Sequence, residues 1–183
     1  GFNFMEFYRN ESVIVNPLRI KNKILSEFQS STVLYFTNIV RKASQIEEEK
    51  EELLKNKKSI TAMHKVKKNA TYMKNAILKG DLDIFANFLK DSWESKKAVS
   101  QSISTTEIDS IYNLAINNGA LSGKLSGAGG GGFMIFIVPP EKKFNLVKAL
   151  NETNGSVFTF QFTEEGVRSV SYTHLRAHET QSD

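Results

Sequence analysis

The chain has 183 residues, of which 40% are hydrophobic and 24% are charged, with a formal net charge of +4. These values are typical of one globular domain that buries a real core, with room for part of a second domain. The sequence has no run of about 18 apolar residues, which excludes a membrane-spanning helix. It also has no cysteine, which excludes disulfides and thiolate metal sites.

The positive charge does not form a block. Many of the lysines lie between Lys55 and Lys97 and are interleaved with apolar residues, a pattern that favours solvated helix faces over a nucleic-acid surface. We therefore expect neither a nucleic-acid nor a membrane partner. The lack of cysteine and of a signal-type amino-terminal sequence predicts a cytoplasmic location.

The amino-terminal residues have the pattern of a β-hairpin. Residues 2–8 are a largely apolar run that predicts a strand, residues 12–15 suit a return strand, and Pro17 ends the pair. The chain opens inside this first strand and without methionine, so we expect further sequence upstream. Residues 32–37 are β-branched and aromatic, which predicts a buried strand.

Helices are predicted through the middle of the chain. Residues 44–56 suit a polar helix, and apolar residues then recur at three- and four-residue steps through residues 60–77. Gly80 predicts a helix end and Asp81 a new helix start. The apolar stripe of that next helix ends at Trp93.

Ser104 and Glu107 match a capping box at the start of a further helix. Its predicted inner face consists of Ile108, Ile111, Tyr112 and Ala115, and Gly119 predicts its end. The remaining elements are a strand over residues 133–138, a helix over residues 140–151 and a last strand over residues 157–162. This order predicts an α+β sandwich, in which helices cover one face of an antiparallel sheet.

The most unusual segment is a glycine cluster, with five glycines among residues 127–132. Glycine loses the most backbone entropy on folding, so such a cluster indicates a need for close backbone approach, as at a phosphate. A flexible linker is the alternative, but the run is predicted to join a helix directly to an apolar strand. A dinucleotide fingerprint would need a helix after the loop, and a Walker motif would need Ser or Thr where Leu125 stands.

Residues 123–133, Gly-Lys-Leu-Ser-Gly-Ala-Gly-Gly-Gly-Gly-Phe, resemble the third signature of the GHMP kinases, the family of galactose, homoserine, mevalonate and phosphomevalonate kinases. Five further segments resemble the heptose-phosphate branch of this family: residues 1–8, 16–19, 62–64, 93–97 and 165–169. The resemblance covers residues 1–169. It implies a ferredoxin-like two-layer sandwich with an antiparallel sheet and helices packed on one face.

The resemblance also implies a domain organisation. Residues 1–30 are expected to be strands that link to a missing amino-terminal domain, and residues 31–169 the GHMP kinase carboxy-terminal domain. Residues 170–183 depart from the family and have few apolar side chains, so we expect a disordered or non-native tail.

The activity implied by the resemblance is that of an ATP-dependent sugar kinase that uses Mg²⁺, with heptose 7-phosphate as acceptor at its anomeric hydroxyl. A fucose-type or other GHMP sugar kinase is the alternative within the family. A stand-alone ferredoxin-like module that binds a metabolite is the alternative outside it. The main ATP loop and the general base are expected in the amino-terminal domain, so this chain is expected to hold no catalytic base and no metal ligand, and to be inactive alone.

The resemblance places phosphate or ATP contacts at the glycine segment: Lys124, Ser126, Gly127, Ala128, Gly129, Gly130 and Gly131. Substrate contacts are expected from Thr37, Arg41 and Lys96. The first two match a Thr-Gly-x-Ser-Arg pattern of similar kinases, although Asn38 and Val40 depart from it. Lys96 is expected to face the acceptor because it lies three residues after Trp93 on a predicted helix.

Overall fold

The computed structural model describes residues 1–39, 56–99, 103–127 and 129–163. Within these ranges the strands are β1 (Asn3–Phe7), β2 (Val13–Pro17), β3 (Thr32–Phe36), β4 (Ser122–Leu125), β5 (Phe133–Ile137) and β6 (Ser156–Phe158). The helices are α1 (Asn22–Ser30), α2 (Lys57–Lys79), α3 (Leu82–Lys97), α4 (Thr106–Asn117) and α5 (Pro140–Asn151).

Four strands form one sheet in the order β4–β5–β3–β6, and all neighbouring pairs are antiparallel. Along the chain, β3 is followed by helices, β4 and β5 form the next pair, and α5 precedes β6. This is the ferredoxin-like arrangement. The predicted α+β class is therefore confirmed.

The main core lies between this sheet and the helices α4 and α5. The sheet contributes Val33, Tyr35, Met134 and Phe136 to it, and the two helices contribute Ile108, Ile111, Tyr112, Ala115, Leu146 and Leu150. The four residues predicted as the inner face of α4 are all buried here. Full burial of each large apolar side chain contributes roughly 1.5–3 kcal/mol before the entropy of ordering is counted.

Helices α2 and α3 pack against each other, and α3 also packs against the edge strand β4. Gly80 ends α2 with φ +77°, and the Asp81 side chain accepts a hydrogen bond from the Ile84 amide at 3.1 Å. Both predicted boundary signals are thus confirmed. The buried Asn69 donates from α2 to the Asp91 carboxylate on α3 at 3.0 Å, and Lys65 pairs with the same carboxylate. These bonds lower the pKa of Asp91.

Two elements were not predicted. The strand β4 has the sequence Ser-Gly-Lys-Leu, without β-branched or aromatic residues, and it depends on its pairing with β5. The helix α1 has no side-chain cap and a single buried residue, Phe28, so its local signals are weak. The prediction that the glycine run follows a helix directly is therefore wrong, because β4 lies between them.

Three smaller predictions also need correction. The N-cap of α4 is Thr105, whose side chain accepts from the Ile108 amide at 3.3 Å, whereas Ser104 donates to Asp109. The last strand β6 ends at Phe158 instead of residue 162. The position of His64 next to the apolar Met63 predicts a partly buried side chain, but His64 is exposed. The predicted helix over residues 44–56 falls almost entirely outside the described residues.

The hairpin of β1 and β2 forms a separate two-stranded sheet, in which Met5 pairs with Val15. Phe2, just before it, packs with Phe28 and Phe162 in a second apolar cluster near α1, α2 and α3. The predicted hairpin is therefore present. Among the described helices, none combines the length and the hydropathy needed to cross a bilayer.

Replacing Gly155 with alanine is expected to destabilise the fold by about 2 kcal/mol or more, because a Cβ there would overlap the Tyr35 hydroxyl and the Phe36 carbonyl oxygen. Gly80→Ala is expected to cost less, about 1 kcal/mol, since its Cβ would meet only the flexible Ile24 side chain. Urea unfolding of both variants measures the difference. Equal losses would contradict the packing seen at Gly155.

Tyr112 is expected to make stability sensitive to alkaline pH. Burial, with a further contribution from the Glu94 carboxylate, raises the pKa of Tyr112 to about 12, whereas an unfolded tyrosine has a pKa of about 10. The contribution of the neutral phenol is complete below about pH 10 and is lost as the pH rises towards about 12. Tyr112→Phe should therefore lose less unfolding free energy over that interval than the parent.

The matched control for this measurement is Tyr72→Phe, which removes a phenol from the surface of α2. Urea unfolding at several pH values between 9 and 12 separates the two variants. A Tyr112→Phe profile parallel to those of the parent and of the Tyr72 variant would show that the buried phenol does not set the alkaline limit.

Candidate functional site

The glycine-rich loop connects the antiparallel strands β4 and β5. Its base is closed by the Ser126 amide, which donates to the Phe133 carbonyl at 2.8 Å. Gly127, Gly130 and Gly132 have φ values of +73°, +74° and +94°. Residues with a side chain rarely adopt such angles, so the glycines are required by the path of the backbone.

One side of the loop is fastened to the end of β3 through Thr37. The Thr37 amide and hydroxyl both donate to the Gly132 carbonyl at 2.9 Å, and the hydroxyl accepts from the Gly132 amide at 3.1 Å. The Gly132 amide also donates to the Ile39 carbonyl at 3.0 Å. A Cβ on Gly131 would overlap that same carbonyl, so glycine is needed there for close approach.

The other side of the loop is fastened to the segment before α4. The Gly130 amide donates to the Ile103 carbonyl at 3.0 Å, and a Cβ on Gly129 would lie 3.0 Å from the Ile103 Cα. Gly130 thus contributes its amide to anchoring the loop. Among the described residues, the amides of Gly127, Gly129 and Gly131 have no hydrogen-bond partner, and they are the donors left for an anion.

Asn38 occupies the position where the family pattern has glycine. Its φ is +57°, which is uncommon for a residue with a side chain, and asparagine tolerates this region better than most. The departure from the pattern therefore preserves the backbone turn after β3. This turn presents the Ile39 carbonyl to Gly132.

Two predicted lysines lie beside the loop. Lys96 extends from α3 and donates to the Gly127 carbonyl at 2.5 Å, while Lys124 lies on β4 and burial lowers the pKa of its ammonium. Both lysines line one cavity together with Trp93. Trp93 is only 1% exposed and belongs to the core, as expected from its place on the apolar stripe.

The other predicted site residues lie in different surroundings. Thr37 is 2% exposed, and its hydroxyl is hydrogen-bonded to Gly132 of the loop. Thr37 therefore positions the loop. Ser126 is half-buried at the base of the loop. Arg41 and Ala128 lie outside the described residues. Sequence reasoning missed the carbonyls of Ile39 and Ile103, for which no sequence signal exists, because every residue carries one.

Residues 73–155 match the family described as GHMP kinases C terminal. This stretch of the chain is therefore similar to the carboxy-terminal domain of the GHMP kinases. The match includes α3, α4 and the whole glycine-rich loop, so the family assignment and the geometry concern the same residues. The resemblance inferred from residues 123–133 is thereby confirmed.

The GHMP domain is similar to kinases of phosphorylated heptoses. The chain is 57% identical over 169 residues to D-glycero-alpha-D-manno-heptose 7-phosphate kinase of Campylobacter jejuni, covering 92% of this chain and 50% of the relative. Its fold matches the crystal structure of a D-glycero-D-manno-heptose 1-phosphate kinase from Bacteroides thetaiotaomicron with a TM-score of 0.68 and 38% identity, covering 93% of this chain and 46% of the other.

A more distant similarity concerns a fucose enzyme. The chain is 29% identical over 129 residues to the L-fucokinase/L-fucose-1-P guanylyltransferase of Bacteroides fragilis, which covers 69% of this chain and 14% of that protein. The chain spans about half the length of the heptose relatives.

The Thr37 hydroxyl is expected to determine how firmly the glycine loop is held. Thr37→Val leaves the Gly132 amide with only its bond to Ile39, and we expect a loss of about 1–2 kcal/mol in unfolding free energy. We also expect faster hydrogen exchange at Gly132. Thr37→Ser keeps the hydroxyl and should restore slow exchange. If the valine variant exchanged at the parent rate, the hydroxyl would have no part in holding the loop.

Proposed function

We propose that this chain forms the carboxy-terminal half of an ATP-dependent kinase that phosphorylates heptose 7-phosphate at its anomeric hydroxyl. The observation that carries the proposal is the anchored glycine loop, in which three amides have no hydrogen-bond partner among the described residues. The 57% identity to a heptose 7-phosphate kinase supports the choice of acceptor.

The loop suits the requirements of phosphoryl transfer. This reaction depends on positioning and on stabilising the negative charge of the moving phosphoryl group. Backbone amides held by the hydrogen bonds of Gly130 and Gly132 do not need to reorganise when an anion arrives.

We propose that the complete kinase uses ATP and Mg²⁺. The loop amides fit phosphate oxygens, which are the groups of ATP that also carry Mg²⁺ and whose charge the cation neutralises when bound. The described residues contain no group of three acidic or histidine side chains that could hold a metal. The part proposed for this chain is therefore to bind and orient phosphate.

The first hairpin supports the proposed contact with an amino-terminal half. On β1 and β2, Phe7 is 73% exposed, and Met5, Val13 and Val15 are each at least half exposed. A two-stranded sheet alone is marginally stable, and its apolar side chains favour a covering partner. We propose that residues 1–30 link the two halves, although α1 already packs on the carboxy-terminal domain through Phe28.

The remaining domain limits follow the same proposal. Residues 31–169 form the GHMP carboxy-terminal domain, and the match over residues 73–155 lies inside these limits. The proposed tail, residues 170–183, lies outside the described residues. A fucose-type acceptor is the second candidate, favoured by the 29% identity to the Bacteroides fragilis enzyme.

A chimeric enzyme tests the proposal. The amino-terminal half of the Campylobacter jejuni relative is fused to residues 1–169 of this chain, and product formation from ATP is followed by phosphorus NMR. We expect a new phosphate ester at the anomeric position of heptose 7-phosphate, no reaction with fucose, and no turnover by the chain alone. A folded chimera that phosphorylates fucose, or neither sugar, would overturn the proposal.

Gly127→Val in the same chimera is expected to lower kcat/KM for ATP by about a hundredfold or more. A Cβ at Gly127 meets no atom of the described residues within 4 Å, so the branched side chain would occupy the space proposed for phosphate. Gly80→Ala is the control, since Gly80 also has a positive φ but lies at the end of α2. It should lower the melting temperature to a similar extent and leave kcat/KM unchanged. Normal turnover of Gly127→Val would remove the loop from the site.

A further inference from the structure

A cavity of about 370 Å³ lies between α2, α3, β1 and β4. Most of its wall is apolar and includes Phe2, Phe4, Val66, Met73, Phe85 and Leu89. The cavity adjoins the glycine loop, because Lys96 in its wall donates to the Gly127 carbonyl. Its size is that of a small-molecule site.

The charge of the cavity wall is entirely positive. Lys74, Lys96 and Lys124 line it, and none of its described lining residues is Asp or Glu. Lys74 lies 4.4 Å from the centre of the Phe4 ring, so an aromatic face offsets part of its charge. The nearby Asp91 on α3 is occupied by Lys65 and Asn69. The charges in this wall therefore favour a ligand that carries an anionic group.

Of the three lysines, Lys124 is the best suited to bind an anionic group. Its ammonium is desolvated, which lowers its pKa, and it has no hydrogen bond or ion pair with any described residue. Burying a charge without a partner is costly, and an anion placed beside it offsets that cost.

Trp93 belongs to the wall of the same cavity. Its side chain is 1% exposed and lines the cavity, yet its indole nitrogen has no acceptor within the described part of the chain. An unsatisfied buried donor costs about 1–3 kcal/mol, so native structures rarely leave one. Because this nitrogen is itself inaccessible to solvent, Trp93 is placed in the wall of the cavity and is assigned no hydrogen bond to a ligand.

We propose that this cavity binds the phosphorylated end of the acceptor sugar, with Lys124 and Lys96 on its phosphate and the aromatic wall on its carbon-bound hydrogens. The inference rests on the proposed kinase function. An acceptor phosphorylated at one end and reacting at the other needs two neighbouring anion sites. The glycine loop and this cavity are neighbours through Lys96.

Tryptophan fluorescence tests binding directly, because Trp93 is the single tryptophan of the chain. Heptose 7-phosphate, unphosphorylated heptose, inorganic phosphate and ATP are titrated into the chain. We expect a saturable change in emission with heptose 7-phosphate, a weaker response with inorganic phosphate, and none with heptose. Absence of a response to heptose 7-phosphate, or a response to ATP alone, would overturn the assignment.

Substitutions identify the lysine responsible. Lys124→Met should weaken the binding of heptose 7-phosphate by about tenfold or more, as expected for the loss of a charged hydrogen bond. Lys124→Arg should retain most of the affinity, and Lys90→Met, on the exposed side of α3, should retain all of it. Circular dichroism and thermal unfolding verify that each variant is folded. Unchanged binding by a folded Lys124→Met variant would refute the proposal.

Kinetics in the chimera separate this inference from the proposed function. Lys124→Met should raise KM for heptose 7-phosphate about tenfold or more while leaving KM for ATP unchanged. A raised KM for ATP alone would assign Lys124 to the nucleotide and overturn the cavity assignment. A chimera that binds heptose 7-phosphate without turnover would instead refute the kinase proposal and leave the cavity assignment standing.

Discussion

The hydrogen bonds between Thr37 and Gly132 hold the site on the fold. They join the end of the central strand β3 to the last residue of the glycine loop, where β5 begins. Since β3 and β5 are neighbours in the sheet and bury Val33, Tyr35, Met134 and Phe136 in the core, the loop inherits the rigidity of that core. Without the hydrogen bonds between Thr37 and Gly132, the loop would be a glycine-rich linker with many accessible conformations. Together with the second anchor at Ile103, these bonds fix the path of the loop backbone, on which the proposed binding of an anion depends.

Periodic apolar patterns identified the elements that contribute most to burial. The stripes of α2, α3 and α4 are long enough for their period to be read directly, and β5 is marked by its continuous apolar run. The strand β4 could not be found this way, because its four residues include glycine and lysine and its pairing with β5 is a tertiary effect. The helix α1 could not be predicted for a similar reason, since it buries only Phe28. What the sequence lacks in both cases is a local preference, and long-range contacts supply the missing stability.

The candidate site could be predicted by residue type but not by arrangement. The glycine cluster predicts that the loop backbone lies close to other groups. In the structure these groups are the carbonyls of Ile39 and Ile103. Neither carbonyl has a signature in the sequence. Lys96 and Lys124 belong to different elements, and they meet because α3 packs along the edge strand β4. A convergence of this kind depends on tertiary packing, so sequence spacing alone could only suggest the individual residues.

The register of β4 decides which side of the sheet each of its residues faces. Lys124 pairs with Ile135 and faces the cavity, while Leu125 pairs with Met134 and is buried in the core. A slip of one residue would exchange the two side chains and place an ammonium group in the apolar core. Gly123 favours the observed register as well, because a Cβ there would overlap the Phe136 ring. The same packing that stabilises the sheet therefore directs Lys124 into the cavity, so the position of this charge and the stability of the fold have one physical origin.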